Sequence, residues 1–201
     1  IRNNLKAFRG IDVRRSEGLI FVRADKALDI QAIIKEISKV FGVASISKAV
    51  EAPSELEAIG AEAVAYMNGL IAERGIHTFK VEAKRADKNF PVKSPEIGRI
   101  IGAKVLIGCK VLKVDVHEPD VLLHVDVRHD RSYIYEGKIP GFGGLPLGTN
   151  GKGLTLLSGG IDSPVATWMM AKRGMLIEAV HFHSYPYTCL LYTSDAADDL
   201  I

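Results

Sequence analysis

The apolar residues near the start of the chain recur with two different periods. Between residues 30 and 41 they are spaced every three or four positions, which predicts an amphipathic helix that Asp29 caps and Gly42 ends. The segments 19–23 and 43–50 alternate or run apolar, which is typical of strands. The pattern therefore predicts a strand, a helix and a second strand, in this order.

A second group of elements fills residues 53–139. Pro53 interrupts the preceding pattern, and Ser54 with Glu57 three positions later forms the signature of a capping box, so we expect a helix from there to Gly75. The residues beyond it predict, in order, a strand at 77–83, a helix from Ser94, and strands at 113–117, 121–127 and 132–138. This order predicts a compact α/β domain of about 85 residues.

A glycine loop between a strand and a helix is the strongest signal in the chain. The loop at 158–163 reads Ser-Gly-Gly-Ile-Asp-Ser, between an apolar strand at 154–157 and a helix from Pro164 to Gly174, and a second strand at 176–183 follows. The backbone N–H groups of such a loop face the same site as the positive end of the helix dipole, and this arrangement binds phosphate. The alternative is a tight turn in which a loop side chain merely caps the helix.

This loop resembles the SGGxDS motif of the PP-loop ATP pyrophosphatases, which split ATP into AMP and pyrophosphate. It has neither the Gly-Lys-Ser/Thr ending of a Walker A motif nor the three-glycine spacing of the dinucleotide fingerprint. The resemblance implies that ATP is bound here and that its phosphates are held by Ser158, Gly159, Gly160, Asp162 and Ser163. Asp162 is the candidate catalytic residue, because it can orient the loop or help to hold Mg²⁺.

Composition narrows the class of protein. No apolar run is long enough to span a bilayer. The two cysteines, Cys109 and Cys189, lie far apart and have neither a disulfide framework nor a metal-ligand spacing. These observations argue against a membrane protein, a disulfide-stapled secreted domain and a cysteine metal site, and they favour a reducing cytoplasm.

The last thirteen residues, 189–201, carry three acids and no base and continue no upstream pattern. We expect them to be a non-native tail, with an ordinary loop as the alternative. The remaining 188 residues hold 26 basic and 21 acidic side chains, a balance of +5 in place of the +2 of the whole chain. That balance suits a polyanionic partner better.

A basic segment follows the strand at 77–83. Lys84, Arg85, Lys88 and Lys93 can contact phosphates, and the neighbouring Phe90 can stack on a base. The alternative is a solvated loop with Phe90 in the core.

This segment, from Phe79 to Lys88, resembles the THUMP domain, an RNA-binding module of RNA-modifying enzymes. The helix start at 94–98 and the Val-Asp-Val-Arg segment at 125–128 match it as well. The resemblance implies that the basic surface grips the acceptor end of tRNA.

A glycine-rich segment with spaced apolar residues, 141–153, connects the two parts. Because it also contains Pro146 and follows Pro140, we expect a connector that packs partly on the next domain, not a fully flexible linker.

The order of the segments as a whole resembles the tRNA 4-thiouridine synthase family of tRNA sulfurtransferases. The Gly-Gly-Leu-Pro-Leu-Gly of the connector, the block around the glycine loop and the His-Phe-His-Ser at 181–184 are specific together. The resemblance implies an α/β and α+β multidomain fold. Its parts are a ferredoxin-like N-terminal domain at 1–52 whose start is missing, a THUMP domain at 53–139, a linker at 140–153, and the first β-α-β unit of a Rossmann-type PP-loop domain at 154–188.

The family resemblance also implies a reaction. ATP activates O4 of uridine-8 in tRNA by adenylation, and sulfur from a cysteine desulfurase persulfide then displaces AMP to leave 4-thiouridine. The family is also tied to thiamine thiazole synthesis, and its members form homodimers. The resemblance implies that the adenosine site is lined by Leu156, Leu157, His181 and Phe182. The alternative for His181 is a packing residue at the end of a strand.

The chain departs from the family where its PP-loop domain breaks off. Only about 35 residues of that domain precede the odd tail, whereas a nucleotide-binding α/β domain needs 100 or more. We therefore expect the catalytic cysteine to lie outside this sequence and the fragment to be inactive. Two other functions stay open, namely another PP-loop adenylating enzyme and a non-catalytic tRNA-binding protein.

Overall fold

The computed structural model of the protein describes residues 1–16, 18–25 and 27–182. Its contacts divide the chain into two compact units. Unit 2 is Ser47–Ile139, and unit 1 contains Ile1–Ile46 together with the chain from Pro140 onward. The predicted tail at 189–201 and the His183–Ser184 part of the predicted family motif lie outside the described residues.

The start of unit 1 is a hairpin and a helix. Strands β1 (Ile11–Ser16) and β2 (Leu19–Ala24) pair antiparallel, and α1 spans Ile30–Ser38. The Asp29 carboxylate accepts the N–H groups of Gln31 and Ala32 at 2.9 and 3.2 Å, so the predicted cap is confirmed. The helix ends at Ser38, before the predicted end at Gly42. Phe41, which was predicted to lie on its apolar face, contacts other aromatic rings that are described below.

The strand predicted at 43–50 is wrong as a single element. The structure has two short strands there, β3 (Ser45–Ile46) and β4 (Ala49–Pro53). They belong to different units, because the chain enters unit 2 at Ser47. The alternation of apolar residues does not show where the chain passes from one unit to the other, because both strands have the same side-chain period of two.

Unit 2 is a five-stranded sheet covered on one face by two helices. The helices are α2 (Leu56–Arg74) and α3 (Ser94–Gly108). The other strands are β5 (Thr78–Arg85), β6 (Lys113–Val114), β7 (Val121–Val127) and β8 (Arg131–Glu136), and the sheet order is β4-β8-β7-β5-β6. Strand β5 runs parallel to β6 and β7, and the remaining pairs are antiparallel.

The core of unit 2 lies between this sheet and the helices. Every second residue of β7 is buried, which is the alternation expected of a sheet with one packed face. These side chains join fully buried helix residues, and the largest members of the cluster are Phe79, Ile59, Met67, Ile97, Ile101 and Leu123. Helix α2 ends at Gly75 in the left-handed conformation (φ 62°), as predicted.

The predicted capping box at Ser54 is wrong. Glu55 stands at the N-cap of α2, and no side chain caps the helix. The Ser54 hydroxyl instead donates to the carbonyl of Arg128 at 2.8 Å and shares a 3.1 Å hydrogen bond with Ser132. Ser132 is fully buried, and a buried hydroxyl without a partner costs more than an uncapped helix end in water. The tertiary bond therefore takes the place of the local cap.

An aspartate outside the regular elements joins the starts of β5 and β7. The Asp120 carboxylate accepts the N–H groups of His77 and Thr78, both at 2.9 Å, and the Thr78 hydroxyl accepts the Asp120 N–H. The bonds from His77 and then Thr78 favour the ionised form and hold the pKa of Asp120 below its ordinary value.

The end of the described chain is a parallel β-α-β unit. After the short strand β9 (Ile139–Pro140) come β10 (Lys152–Leu157), α4 (Asp162–Lys172) and β11 (Leu176–His181). Strands β10 and β11 pair in parallel, with Leu157 opposite His181. Helix α4 starts at Asp162, two residues before the predicted Pro164. None of the helices among the described residues has the length and hydrophobicity that a bilayer span requires.

The Ser54–Ser132 bond predicts energetic coupling across the core. We expect Ser54→Ala and Ser132→Ala each to lower the free energy of unfolding by about 1–2 kcal/mol. The double variant should lose less than the sum, with a coupling of at least about 0.5 kcal/mol. Ser47→Ala, which removes an exposed bond to Gly137, is the control. Urea unfolding followed by circular dichroism measures this, and additive losses would contradict the tertiary bond.

The lowered pKa of Asp120 predicts a contribution to stability that acid removes. Because the folded-state pKa lies below the ordinary value of 3.8, the stabilisation is present above that pH and is lost as the pH falls through the folded-state pKa. Asp120→Asn should therefore be less stable than the parent at neutral pH, and the gap should close on acidification. Thermal unfolding over a pH series tests this, and a gap that does not change with pH would refute it.

Candidate functional site

The glycine loop between β10 and α4 is closed by its own two serines. The Ser163 hydroxyl oxygen accepts the N–H of Ser158 at 3.0 Å, and the two hydroxyl oxygens lie 3.2 Å apart. The Gly160 N–H donates to the Ser158 hydroxyl at 3.4 Å, and Thr167 one turn into the helix donates to the Ser163 carbonyl at 2.7 Å. The loop is therefore a defined turn at the head of a helix, where backbone N–H groups and the helix dipole favour an anion.

A cavity of about 220 Å³ lies beside the loop, at the carboxyl ends of β10 and β11. Ligands of parallel α/β sheets bind at this edge. The cavity brings together six of the nine residues predicted to bind ATP, which are Leu156, Leu157, Ser158, Gly159, His181 and Phe182. The other three, Gly160, Asp162 and Ser163, lie on the helix side of the loop. The nucleotide-contact assignments of all nine stay predictions.

Apolar and polar groups face this cavity in a pattern that suits a nucleoside. Leu156 is 62% exposed and Phe182 74% exposed, so each offers a large apolar surface to a planar ring. The His181 Nδ1 lies 2.8 Å from the Leu157 carbonyl oxygen. Because a carbonyl only accepts, Nδ1 carries the proton in this contact, and Nε2 is left as an acceptor when the ring is neutral.

Asp162 is the carboxylate of the loop sequence 158–163 and is also the first residue of α4, where it is exposed. Mg²⁺ in nucleotide sites commonly takes one or two carboxylates together with substrate phosphates and water. Within residues 1–16, 18–25 and 27–182, no group of three or more His, Cys, Asp or Glu could hold a metal ion. The residues present thus fit a Mg²⁺ ion that arrives with a nucleotide, and do not form a metal cage of their own.

The glycine-rich connector holds the far end of α4. The Leu145 N–H donates to the Lys172 carbonyl at 2.9 Å, and the N–H groups of Gly148 and Asn150 donate to the Gly174 carbonyl at 2.8 and 3.0 Å. Gly144 sits at φ +76°, and a Cβ there would meet the Lys172 carbonyl. The connector thus packs on the β-α-β unit, as the sequence predicted.

An aromatic cluster that the sequence analysis did not identify ties the same helix to the start of unit 1. Trp168 of α4 meets Phe41 at 5.6 Å and Phe142 at 5.8 Å between ring centroids, both edge-on, and the two phenylalanines lie 6.0 Å apart. Edge-to-face pairs at such distances are favourable. The sequence offered one signal of this cluster, namely an aromatic residue, Phe142, inside the glycine-rich connector.

The basic residues predicted to bind tRNA lie around the end of β5 and the start of α3. Lys84, Lys88 and Lys93 are exposed. Arg85 instead donates to the carbonyls of Phe90 and Val92, at 2.7 and 3.3 Å, and so shapes the loop between them. Phe90 packs against the core of unit 2, which favours the solvated-loop alternative over base stacking by Phe90. Phosphate binding by the four basic residues stays a prediction.

Known families match three successive parts of the chain. The ThiI ferredoxin-like domain matches residues 1–47, the THUMP domain 53–135, and the Thiamine biosynthesis protein (ThiI) family 148–194. A probable tRNA sulfurtransferase of Thermoanaerobacter sp. (strain X514) is 50% identical over 188 residues, which are 94% of this chain and 48% of the relative. The chain belongs to the ThiI family. A second relative, the probable tRNA sulfurtransferase of Caldanaerobacter subterraneus subsp. tengcongensis, is 51% identical over 188 residues, with the same coverage of both chains.

Two solved structures share the fold of this chain. A 4-thiouridine synthetase in complex with RNA and with bound ATP is 36% identical, with a TM-score of 0.80, and the match covers 98% of this chain and 49% of that one. PH1313 from Pyrococcus horikoshii is 28% identical, with a TM-score of 0.83 and coverage of 93% and 63%. The predicted fold class is confirmed. The chain spans about half the length of the curated ThiI relatives that it matches.

Gly144 predicts a strict glycine requirement in the connector. An alanine there should lower the free energy of unfolding of unit 1 by about 2–4 kcal/mol, because backbone strain is joined by a clash with the Lys172 carbonyl. Gly143→Ala is the matched control. It also sits at positive φ (+65°) but its Cβ would meet nothing within 4 Å, so it should cost only about 1–2 kcal/mol. Urea unfolding followed by the fluorescence of Trp168, the only tryptophan of the chain, measures both. Equal losses would contradict the packing argument.

Proposed function

We propose that the complete protein transfers sulfur to tRNA at the expense of ATP and forms 4-thiouridine at position 8 through an adenylated uridine. The observation that carries this proposal is the serine-closed glycine loop at the head of α4, beside a cavity at the ends of two parallel strands. Two further findings support it, the membership of the ThiI family and the likeness to a 4-thiouridine synthetase that holds RNA and ATP.

In this proposal the loop binds the phosphates of ATP. The N–H groups of Gly159 and Gly160 and the positive end of α4 stabilise the charge of the pyrophosphate as it leaves. Ser158 and Ser163 exchange their mutual hydrogen bond for bonds to phosphate oxygens. Asp162 holds Mg²⁺, which would supply charge neutralisation on the phosphates.

The adenosine part occupies the cavity beside the loop. Phe182 and Leu156 cover the base, and the Leu157 backbone borders it. The His181 ring, fixed by its bond to the Leu157 carbonyl, offers a hydrogen-bond acceptor to an amino group.

The chemistry explains why a tRNA modification would need ATP. Oxygen O4 of uridine is a poor leaving group, so it first attacks the α-phosphate of ATP and releases pyrophosphate. Sulfur then attacks C4, the C4–O4 bond breaks, and O4 departs as part of AMP. We propose that the sulfur comes as a persulfide from a cysteine desulfurase, so the attack first joins C4 to the carrier cysteine through an S–S bond. A thiol reductant then breaks that bond, which leaves 4-thiouridine, and is itself oxidised to a disulfide with the carrier cysteine. Placing ATP and tRNA on parts of one protein provides the necessary orientation.

The tRNA is bound in this proposal by unit 2. Exposed ammonium groups at Lys84, Lys88 and Lys93 contact phosphates, while Arg85 keeps the loop in shape through its bonds to two carbonyls. A role in thiamine thiazole synthesis, action in the cytoplasm and a homodimeric state belong to the same proposal.

The test uses the full-length protein, labelled ATP, and tRNA with either uridine or cytidine at position 8. We expect pyrophosphate and adenylated tRNA to appear only with the uridine tRNA, and AMP and 4-thiouridine to form when a persulfide donor and a thiol reductant are added. Asp162→Asn should lower the rate of AMP formation on the order of a hundredfold, a loss typical of removing one electrostatic contact to a reacting group. Asp130→Asn, an exposed acid of unit 2, is the matched control and should not change it.

Two results would overturn the proposal in different ways. AMP formation that does not depend on tRNA would indicate another adenylating PP-loop enzyme. Tight tRNA binding with no AMP at all would indicate a non-catalytic RNA-binding protein.

A further inference from the structure

Helix α4 has little packing of its own within the β-α-β unit. Of its residues only Ala171 is buried, while Val165 is 56% exposed and Met169 49% exposed. Among the described residues, the two neighbouring strands therefore cover few of the apolar side chains of α4. Yet this helix carries the glycine loop at its first turn.

Contacts from outside the β-α-β unit fix the other half of α4. Trp168 is held edge-on by Phe41 and Phe142. The Lys172 ammonium of the same helix lies 4.9 Å from the centroid of the Trp168 ring and covers it from within α4. Edge-on contacts between aromatic rings have a preferred geometry, so the two phenylalanines constrain the direction of the helix as well as its distance. The connector's bonds to Lys172 and Gly174 hold the end of the same helix.

The two phenylalanines are themselves anchored by backbone hydrogen bonds. The Phe142 N–H donates to the Ser38 carbonyl at 2.8 Å. Next to each phenylalanine, the Gly42 N–H donates to the Gly143 carbonyl at 2.7 Å, and the Gly143 N–H donates to the Val43 carbonyl at 2.9 Å. Trp168 thus packs against two rings on a hydrogen-bonded backbone, which is a rigid support for a helix.

We propose that Trp168, clamped by Phe41 and Phe142, is a positioning residue for the phosphate loop. This rests on the proposed function, in which the loop binds ATP. Trp168 lies six residues beyond Asp162, about 9 Å along the helix axis, so it acts on the nucleotide only through the direction of α4. Loss of the clamp lets the head of the helix move, and the loop N–H groups no longer meet the phosphates of ATP in the reactive geometry.

The experiment compares variants of the full-length protein in the tRNA-dependent AMP assay. Trp168→Leu removes the aromatic contacts from the helix, and Phe41→Leu removes one of them while the sequence of α4 stays unchanged. Trp168→Phe keeps a ring in place. Met169→Leu, the neighbouring exposed residue outside the cluster, is the matched control.

We expect KM for ATP to rise on the order of tenfold to a hundredfold in Trp168→Leu, and less in Phe41→Leu, because small displacements of a binding group have effects of this size. The Kd for tRNA should stay within about twofold in both, since the RNA surface lies on unit 2, and Trp168→Phe should recover most of the loss. Met169→Leu should match the parent protein.

Two outcomes would overturn the positioning role while leaving the proposed function intact. One is an unchanged KM for ATP in both cluster variants. The other is a fall in kcat and thermal stability with KM unchanged, which is what a partly unfolded population produces. A parent protein that forms no AMP with any tRNA would instead refute the proposed function, and the positioning role with it.

Discussion

The hydrogen bonds of the glycine-rich connector are the constraint on which unit 1 depends. They join three parts of the chain that are far apart in sequence, namely the end of α1, the connector itself and the end of α4. Close backbone contact of this kind needs glycine, and at Gly144 the positive φ and the nearby carbonyl of Lys172 leave no room for a side chain. The same bonds hold the end of α4, so the connector supports the helix that carries the glycine loop at its first turn.

Unit 2 is held together in another way. Its sheet and two helices enclose a continuous apolar core, and the Ser54–Ser132 bond satisfies its one buried polar side chain among the described residues. With the helices packed on the sheet, basic side chains at the end of β5 and the start of α3 remain exposed. In the proposed reaction, the two units therefore bind their substrates through different interactions. Unit 2 offers surface charge to a polyanion, and unit 1 offers aligned backbone N–H groups to a compact phosphate.

Features set by neighbouring residues were predictable from the sequence, and features set by distant partners were not. The Asp29 cap and the end of α2 at Gly75 depend on local geometry, and both lie where the sequence predicted them. The turn between β10 and α4 also lies where it was predicted, although α4 starts two residues earlier. Ser54 has the right spacing for a cap, but Ser132, 78 positions later, takes its hydroxyl. The Phe41, Phe142 and Trp168 cluster depends on three distant segments, so the sequence marks only Phe142, as an aromatic residue in the glycine-rich connector, and not its partners. Family resemblance supplied the fold, and the structure supplied the contacts that support the loop.

The placement of unit 2 between the two stretches of unit 1 has a consequence for folding. On a ribosome, residues 1–46 emerge before unit 2, but Phe41 meets its partners only after the connector and α4 have been synthesised. Unit 2 contains its entire core within Ser47–Ile139, so it can fold in the meantime. Once folded, it no longer behaves as a long flexible loop, and the entropy lost when the two stretches of unit 1 meet is correspondingly smaller. The inserted unit would thus assist the assembly of the unit that surrounds it in sequence.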